Sequence, residues 1–236
     1  MRKKFLVLTM AAVLAFSAFA CGEKKDNKTE EVTTVATTEE VTTEKETETE
    51  AEVASSNEAA EEHADVFTNA PLDPVNDKQA KDGYGSTFEV KYGKVSFQLP
   101  DYLSSKEPQK VGSYEYYIAE QSATGYAMYA FDVEALSFNP SELTMADKTM
   151  LISTMEASGN MEVKNACMTK VAGLDALELD IESKDSGETS QYGRFYLIFD
   201  TYSNKMIVTA VLESKSSEFE YMSDFEKIVA SAKTAE

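Results

Sequence analysis

The chain has 236 residues, 42 Asp or Glu against 22 Lys or Arg, a formal net charge of −20 and 42% apolar residues, enough for one core. That charge excludes nucleic acid as a partner, since holding phosphates needs a basic surface, and it disfavours attraction to anionic headgroups. With two cysteines, Cys21 and Cys167, and a single histidine, His63, a disulfide scaffold is excluded, as are histidine-dependent catalysis and histidine-ligated zinc in the body of the chain.

Arg2, Lys3 and Lys4 precede an apolar run from Phe5 to Ala20, interrupted only by Thr9 and Ser17, and Cys21 follows at once. A basic stretch, a short apolar run and a small-residue site are the parts of a secretory signal, and the run is too short for a stable spanning helix. Ending on cysteine, it resembles a bacterial lipoprotein signal. That resemblance implies cleavage after Ala20, acylation of the Cys21 thiol and a membrane-lipid anchor on the extracytoplasmic side. Ala18-Phe19-Ala20 also reads as an ordinary A-x-A cleavage site, which leaves plain secretion open. Two acyl chains on one residue meet the requirement for stable anchoring.

Residues 21–86 read as an acidic Thr/Glu-rich disordered tether. Between Glu23 and Asp65 there are 15 acids, 4 bases and no aromatic residue. Such a segment has too little apolar surface to offset the entropy of ordering it. As a flexible chain it spans about 45 Å, and its like charges extend it further. His63 lies in this segment.

The folded domain is expected over residues 87–236. Phe88–Tyr92 and Val95–Leu99 alternate apolar and polar about Gly93-Lys94, a β-hairpin pattern, and Pro100 ends its second strand. Strands are expected at 114–120 and 127–136. Asn139-Pro140-Ser141-Glu142 has the layout of a helix start, followed by an apolar face of Leu143, Ala146, Met150, Leu151 and Met155 and a stop at Gly159. Residues 161–171 and 174–183 are strands about Gly173. In the second, Leu177, Leu179 and Ile181 alternate with Glu178, Asp180 and Glu182, which predicts one face in water. Phe195–Phe199 and Met206–Leu212 barely alternate, as suits strands covered on both faces. A last helix is expected from Ser217, capped with Glu220, with Tyr221, Phe225, Ile228 and Ala232 inward. The sum is an α+β domain: about eight strands, mostly antiparallel, with a mid-chain and a C-terminal helix packed on the sheet.

Three stretches carry a family resemblance: Val95-Ser96-Phe97-Gln98-Leu99-Pro100-Asp101-Tyr102, Val171-Ala172-Gly173-Leu174-Asp175-Ala176, and the closing run from Tyr221 to Ala232. Together they resemble the PsbP-like fold. The resemblance implies a binding or assembly module and supplies no catalytic residues; where relatives carry an aromatic after the Leu-Pro, this chain has Tyr102.

Motif by motif, the chain offers no G-x-S-x-G, no S-x-x-K and no phosphate-binding glycine loop. Cys167 is expected to be a small buried hydrophobe. Tyr114, Tyr116, Tyr117, Tyr126 and Tyr129 cluster on two neighbouring strands, with Tyr116 and Tyr117 on opposite faces and cross-strand core packing as their ordinary role. The acidic run from Asp180 to Glu188 offers oxygens for calcium but lacks the EF-hand order, and a solvated hairpin loop accounts for it. The expectation is therefore a membrane-anchored extracytoplasmic lipoprotein. Its domain is a non-catalytic interaction module for a protein or envelope partner, with no cofactor and no metal. The alternative is a carboxylate-dependent hydrolase of cell-envelope material, which would need a cleft holding two carboxyls.

Overall fold

The computed structural model describes residues 66–67, 78–81, 84–123, 125–158, 160–184 and 190–235. The leader, Cys21, His63, most of the tether, the expected helix stop at Gly159 and residues 185–188 of the acidic run lie outside them.

The domain is α+β and its strand pairing is antiparallel throughout. Seven strands form the main sheet: β3 (Gln109–Val111), β4 (Tyr114–Gln121), β5 (Tyr126–Ala135), β6 (Met161–Val171), β7 (Leu174–Ser183), β8 (Gln191–Asp200) and β9 (Lys205–Ser214), in the order β3-β4-β5-β9-β8-β7-β6. A small sheet joins β1 (Thr87–Tyr92), β2 (Val95–Pro100) and β10 (Lys233–Thr234) in the order β1-β2-β10. The hairpins close where the backbone enters the left-handed region: at Gly93 (φ 58°), at Ala172-Gly173 (52° and 81°) and at Asn204 (55°).

Both faces of the main sheet are covered. On one, the mid-chain helix (Met145–Ser158) sets Ile152 and Met155 over Met128, Ala130, Leu177, Leu179, Leu197 and Val208. On the other, the β1–β2 hairpin and the C-terminal helix (Met222–Ala230) set Phe97, Leu99, Phe225 and Ile228 over Tyr129, Phe131, Ile198, Ile207 and Val211. Each such side chain fully removed from water contributes about 1.5–3 kcal/mol. β8 and β9 lie mid-sheet under both covers, which is why their sequences do not alternate.

Several expectations are corrected. Asn139 caps only a 3-10 turn at Pro140–Glu142, and the helix itself starts from Thr144. There the Thr144 backbone N–H donates to Asp147 Oδ2 (2.9 Å) and the Asp147 N–H to Thr144 Oγ1 (3.2 Å), a reciprocal cap. The inner face is consequently Thr149, Ile152 and Met155, with Leu143 and Leu151 partly buried against the same core as expected, while Ala146 and Met150 are exposed. Ser217 does not start the last helix. Its hydroxyl donates to the Tyr126 carbonyl (2.8 Å), the helix begins at Met222, and the Glu220 carboxylate accepts the Ser223 N–H (2.7 Å). Ten strands stand among the described residues where about eight were expected, because β3 and β10 are too short to show a period. Nor does β7 face water: Glu178 and Asp180 are as buried as its leucines, beneath the C-terminal helix.

Short upstream pieces rest on this body. Phe67 bridges in parallel to Ala166 on the β6 edge. Residues 79–81 pair with Glu220: the Lys81 N–H donates to the Glu220 carbonyl (2.9 Å) and the Glu220 N–H to the Gln79 carbonyl (3.0 Å). No helix among the described residues is long and apolar enough to cross a membrane.

Candidate functional site

Two clusters of polar residues bear on a site, one largely sealed and one open. The sealed one is built on Arg194, the one arginine downstream of Arg2. Register sets it opposite Asp180 across β7–β8 and sets Glu178 opposite Cys167 across β6–β7. The guanidinium grips Asp180 with two bonds, Nε to Oδ1 at 2.7 Å and Nη2 to Oδ2 at 3.2 Å. Its Nη1 reaches Glu226 of the C-terminal helix at 2.6 Å and Glu178 at 3.3 Å. Tyr196 donates to the Glu226 carboxylate at 3.3 Å. Burial pushes the Glu178 carboxyl above its ordinary range, against the pull of Arg194. The same burial, with Glu178 beside it, raises the Cys167 thiol to about 11. Cys167 is thus the buried, unreactive group expected. The cluster is buried but for Glu226, whose side chain is 38% exposed, and it fastens the C-terminal helix to the sheet.

The open place is a groove of about 440 Å³ between the β1 hairpin and the β3–β4 end of the main sheet. Val90, Lys91 and Tyr92 form one wall, Glu107, Pro108 and Lys110 the other, and Glu115 and Tyr117 the floor. Alternation along β4 brings Glu115 and Tyr117 to the hairpin face, and Tyr92 at the end of β1 stacks on Phe131 (centroids 4.6 Å apart, planes 3° apart). The Tyr92 hydroxyl donates to Glu115 Oε2 at 2.9 Å and meets the Tyr117 hydroxyl at 3.3 Å. Lys110 closes the network on Glu115 Oε1 at 2.5 Å.

These contacts fix the protonation of the groove. The Lys110 hydrogen bond, with help from Tyr92, holds the Glu115 carboxyl below its ordinary range despite partial burial. Burial raises the phenols of Tyr92 and Tyr117. Near neutral pH the linked groups therefore present the Glu115 carboxylate, the Lys110 ammonium and the neutral phenols of Tyr92 and Tyr117, beside a second acidic residue, Glu107. The two carboxyls raised to about 7 lie elsewhere. Glu134, lifted by burial and by Asp132, is on the helix-covered side of β5. Glu213, lifted by burial, is sealed behind the C-terminal helix, where its Oε2 accepts the Tyr221 N–H (2.9 Å). Neither lines the groove.

The tyrosine cluster divides as alternation requires. Tyr114, Tyr116 and Tyr126 pack on the helix-covered face, Tyr117 and Tyr129 on the hairpin face. Only Tyr117 reaches the groove. Sequence reading missed Tyr92, Glu115 and Lys110, which are ordinary strand residues until the hairpin folds over β4. Of the acidic run, Asp180 is committed to Arg194 and Glu182 pairs with Lys215. No group of three or more metal-ligating side chains occurs among the described residues.

No protein-family model matches the chain, and no curated protein matches it. Solved structures do. The Ran-binding protein Mog1p of Saccharomyces cerevisiae matches at 14% identity over 63% of this chain and 95% of its own, with a TM-score of 0.44. Cyanobacterial PsbP from Synechocystis matches at 14% identity over 70% of this chain and 100% of its own, with a TM-score of 0.38. A Pseudomonas aeruginosa protein of unknown function matches at 12% identity over 56% of this chain and 85% of its own, with a TM-score of 0.34.

Proposed function

We propose that this chain is a bacterial envelope lipoprotein, held in the membrane through acylated Cys21, whose PsbP-like domain binds a protein or envelope partner without catalysing a reaction. One observation carries the binding role: the groove under β1 is open, and in it Tyr92, Tyr117, Glu115 and Lys110 hold one another through hydrogen bonds and an ion pair. Fixed charges and aromatic faces recognise a surface; they do not shuttle protons. A carboxylate hydrolase needs an acid that keeps its proton near neutrality beside the scissile bond. Of the two carboxyls that line the groove, Glu107 and Glu115, the second is held below its ordinary range, the direction opposite to that of a general acid.

A photo-cross-linking residue placed at Lys110 tests this in intact cells, with the same residue at Tyr202, which is 85% exposed, as control. A discrete adduct from position 110 and none from 202 is expected. Equal labelling from both, or none from either, defeats the reading. The anchor is tested separately. Cys21→Ser is expected to abolish incorporation of labelled palmitate and release the protein from the membrane fraction; unchanged fractionation would refute lipidation at that residue.

A further inference from the structure

The wall of the groove formed by β1 is a strand edge, and its hydrogen-bonding phase can be read. Asp101 N–H donates to the Ser86 carbonyl at 2.9 Å, which makes 86/101 a hydrogen-bonded pair of the β1–β2 ladder. Alternation then makes 88/99, 90/97 and 92/95 the other bonded pairs. The backbone N–H and C=O groups of Thr87, Glu89 and Lys91 therefore point away from β2. No described residue pairs with them: β10 lies on the far side of β2, and the groove lies in front of β1. Thr87, Glu89 and Lys91 also carry the exposed side chains of the strand, while Phe88, Val90 and Tyr92 face inward.

We infer that the groove takes an extended peptide segment of a partner protein, added antiparallel to β1 as a further strand. Two features select this occupant. The first is the edge, a row of donors and acceptors at strand spacing that an extended peptide satisfies without distortion. The second is charge. Cross-strand neighbours interact in pairs, so Glu89 calls for a basic residue opposite it and Lys91 for an acidic one. The residue between them, opposite Val90, points down onto Pro108 and Tyr117 and is apolar. The ligand is thus an acid–apolar–base alternation read from its N-terminus. A second copy of this chain is the rival occupant, because Glu89-Val90-Lys91 itself reads acid–apolar–base, and a dimer of the full mature chain in sedimentation that the peptide does not dissociate would overturn the proposal.

This rests on the groove being a binding site, and its test is separate. The probe is a capped peptide, Thr-Val-Glu-Val-Lys-Val-Thr, labelled with a fluorophore and titrated against the full mature chain carrying Cys21→Ser to keep it in solution. A second peptide exchanges the Glu and Lys, and a third has methylated amide nitrogens at those two residues. The first peptide is expected to bind about tenfold tighter than the exchanged one, because two attractive cross-strand pairs become two repulsive ones. Glu89→Lys with Lys91→Glu is expected to reverse that preference, and both side chains are exposed, so the fold is not at stake. The methylated peptide is expected not to bind. Equal binding of the first two peptides, preference for the exchanged one by the unaltered protein, binding of the methylated one or no binding at all would each overturn the proposal. A groove-specific cross-link in cells alongside such a failure would leave the binding role intact and end this account of its ligand.

Discussion

Arg194 is at the centre of the buried polar network, and its worth lies in what its loss would strand. Asp180 and Glu178 sit in the core paired with the guanidinium. Arg194→Ala leaves them without it, and a cost of about 3–5 kcal/mol is expected, read as a lower urea midpoint. Glu213 is a second residue whose state has a measurable consequence. Its carboxyl is raised by burial from 4.5 to about 7. Below pH 4.5 both folded and unfolded chains hold the proton, and its contribution to stability is complete. As pH rises through the interval up to about 7, the unfolded chain has released the proton while the fold still holds it, so stability falls, by about 3 kcal/mol in all. Above that it is flat. Glu134, also raised to about 7, acts in the same direction, while Glu115, held low, acts oppositely and at lower pH. Thermal unfolding followed by circular dichroism from pH 4.5 to 8 should show a steeper decline for the unaltered protein than for Glu213→Gln. Parallel curves would mean that Glu213 does not carry it.

At the scale of the element, the mid-chain helix separates two readings of one sequence. Its apolar residues surround it too evenly for periodicity to choose a side. Phase is decided by the Thr144–Asp147 cap, which starts the helix later than Asn139 and turns Ile152 and Met155 inward. Ile152→Ala is expected to cost about 2–5 kcal/mol, whereas Met150→Ala, 42% exposed, should be nearly neutral in the same denaturation assay. Within the sheet, β8 crosses β9 so closely at Gly193 that an added Cβ would lie 2.2 Å from the Val211 carbonyl oxygen. Backbone occupies that space on a central strand and cannot step aside, so Gly193→Ala should cost about 3 kcal/mol or prevent folding, seen as lost soluble yield.

For the molecule as a whole, the domain and the segment that leads into it are joined by more than a covalent bond. The paired backbone of residues 79–81 and Glu220 is reinforced by Lys78, whose ammonium donates to the Ser214 carbonyl (3.2 Å), and by Lys81 over the Phe219 ring (4.2 Å). A chain shortened to begin at Ser86 loses all four contacts. It is expected to be about 2 kcal/mol less stable than one beginning at residue 66, measured as a drop in Tm. Equal Tm values would show the lead-in to be thermodynamically idle. This seam lies against the loop before the C-terminal helix, whereas the groove lies under β1, so a partner seated in the groove would leave the seam undisturbed.

Much of the domain was legible in the residues themselves because its strands obey local rules. The alternation of β1 and β2 about Gly93, the turn at Gly173 and the unbroken apolar runs of β8 and β9 gave strand positions within a few residues. The α+β class followed from counting them with two helices. Composition likewise set the sign of the surface, and the order of apolar run, cysteine and polar run is a property of the chain before folding. What only tertiary structure decided is which polar residues meet. Glu178 and Asp180 look like the wet side of a strand until the C-terminal helix lies over them with Arg194 beneath. Tyr92, Glu115 and Lys110 stand on three strands and converge only when the hairpin closes on β4. Local sequence fixes what a residue prefers next to its neighbours, through sterics and hydrophobic spacing. Sheet order and layer packing fix who stands across from it, and both the buried charges and the groove arise from that second kind of contact.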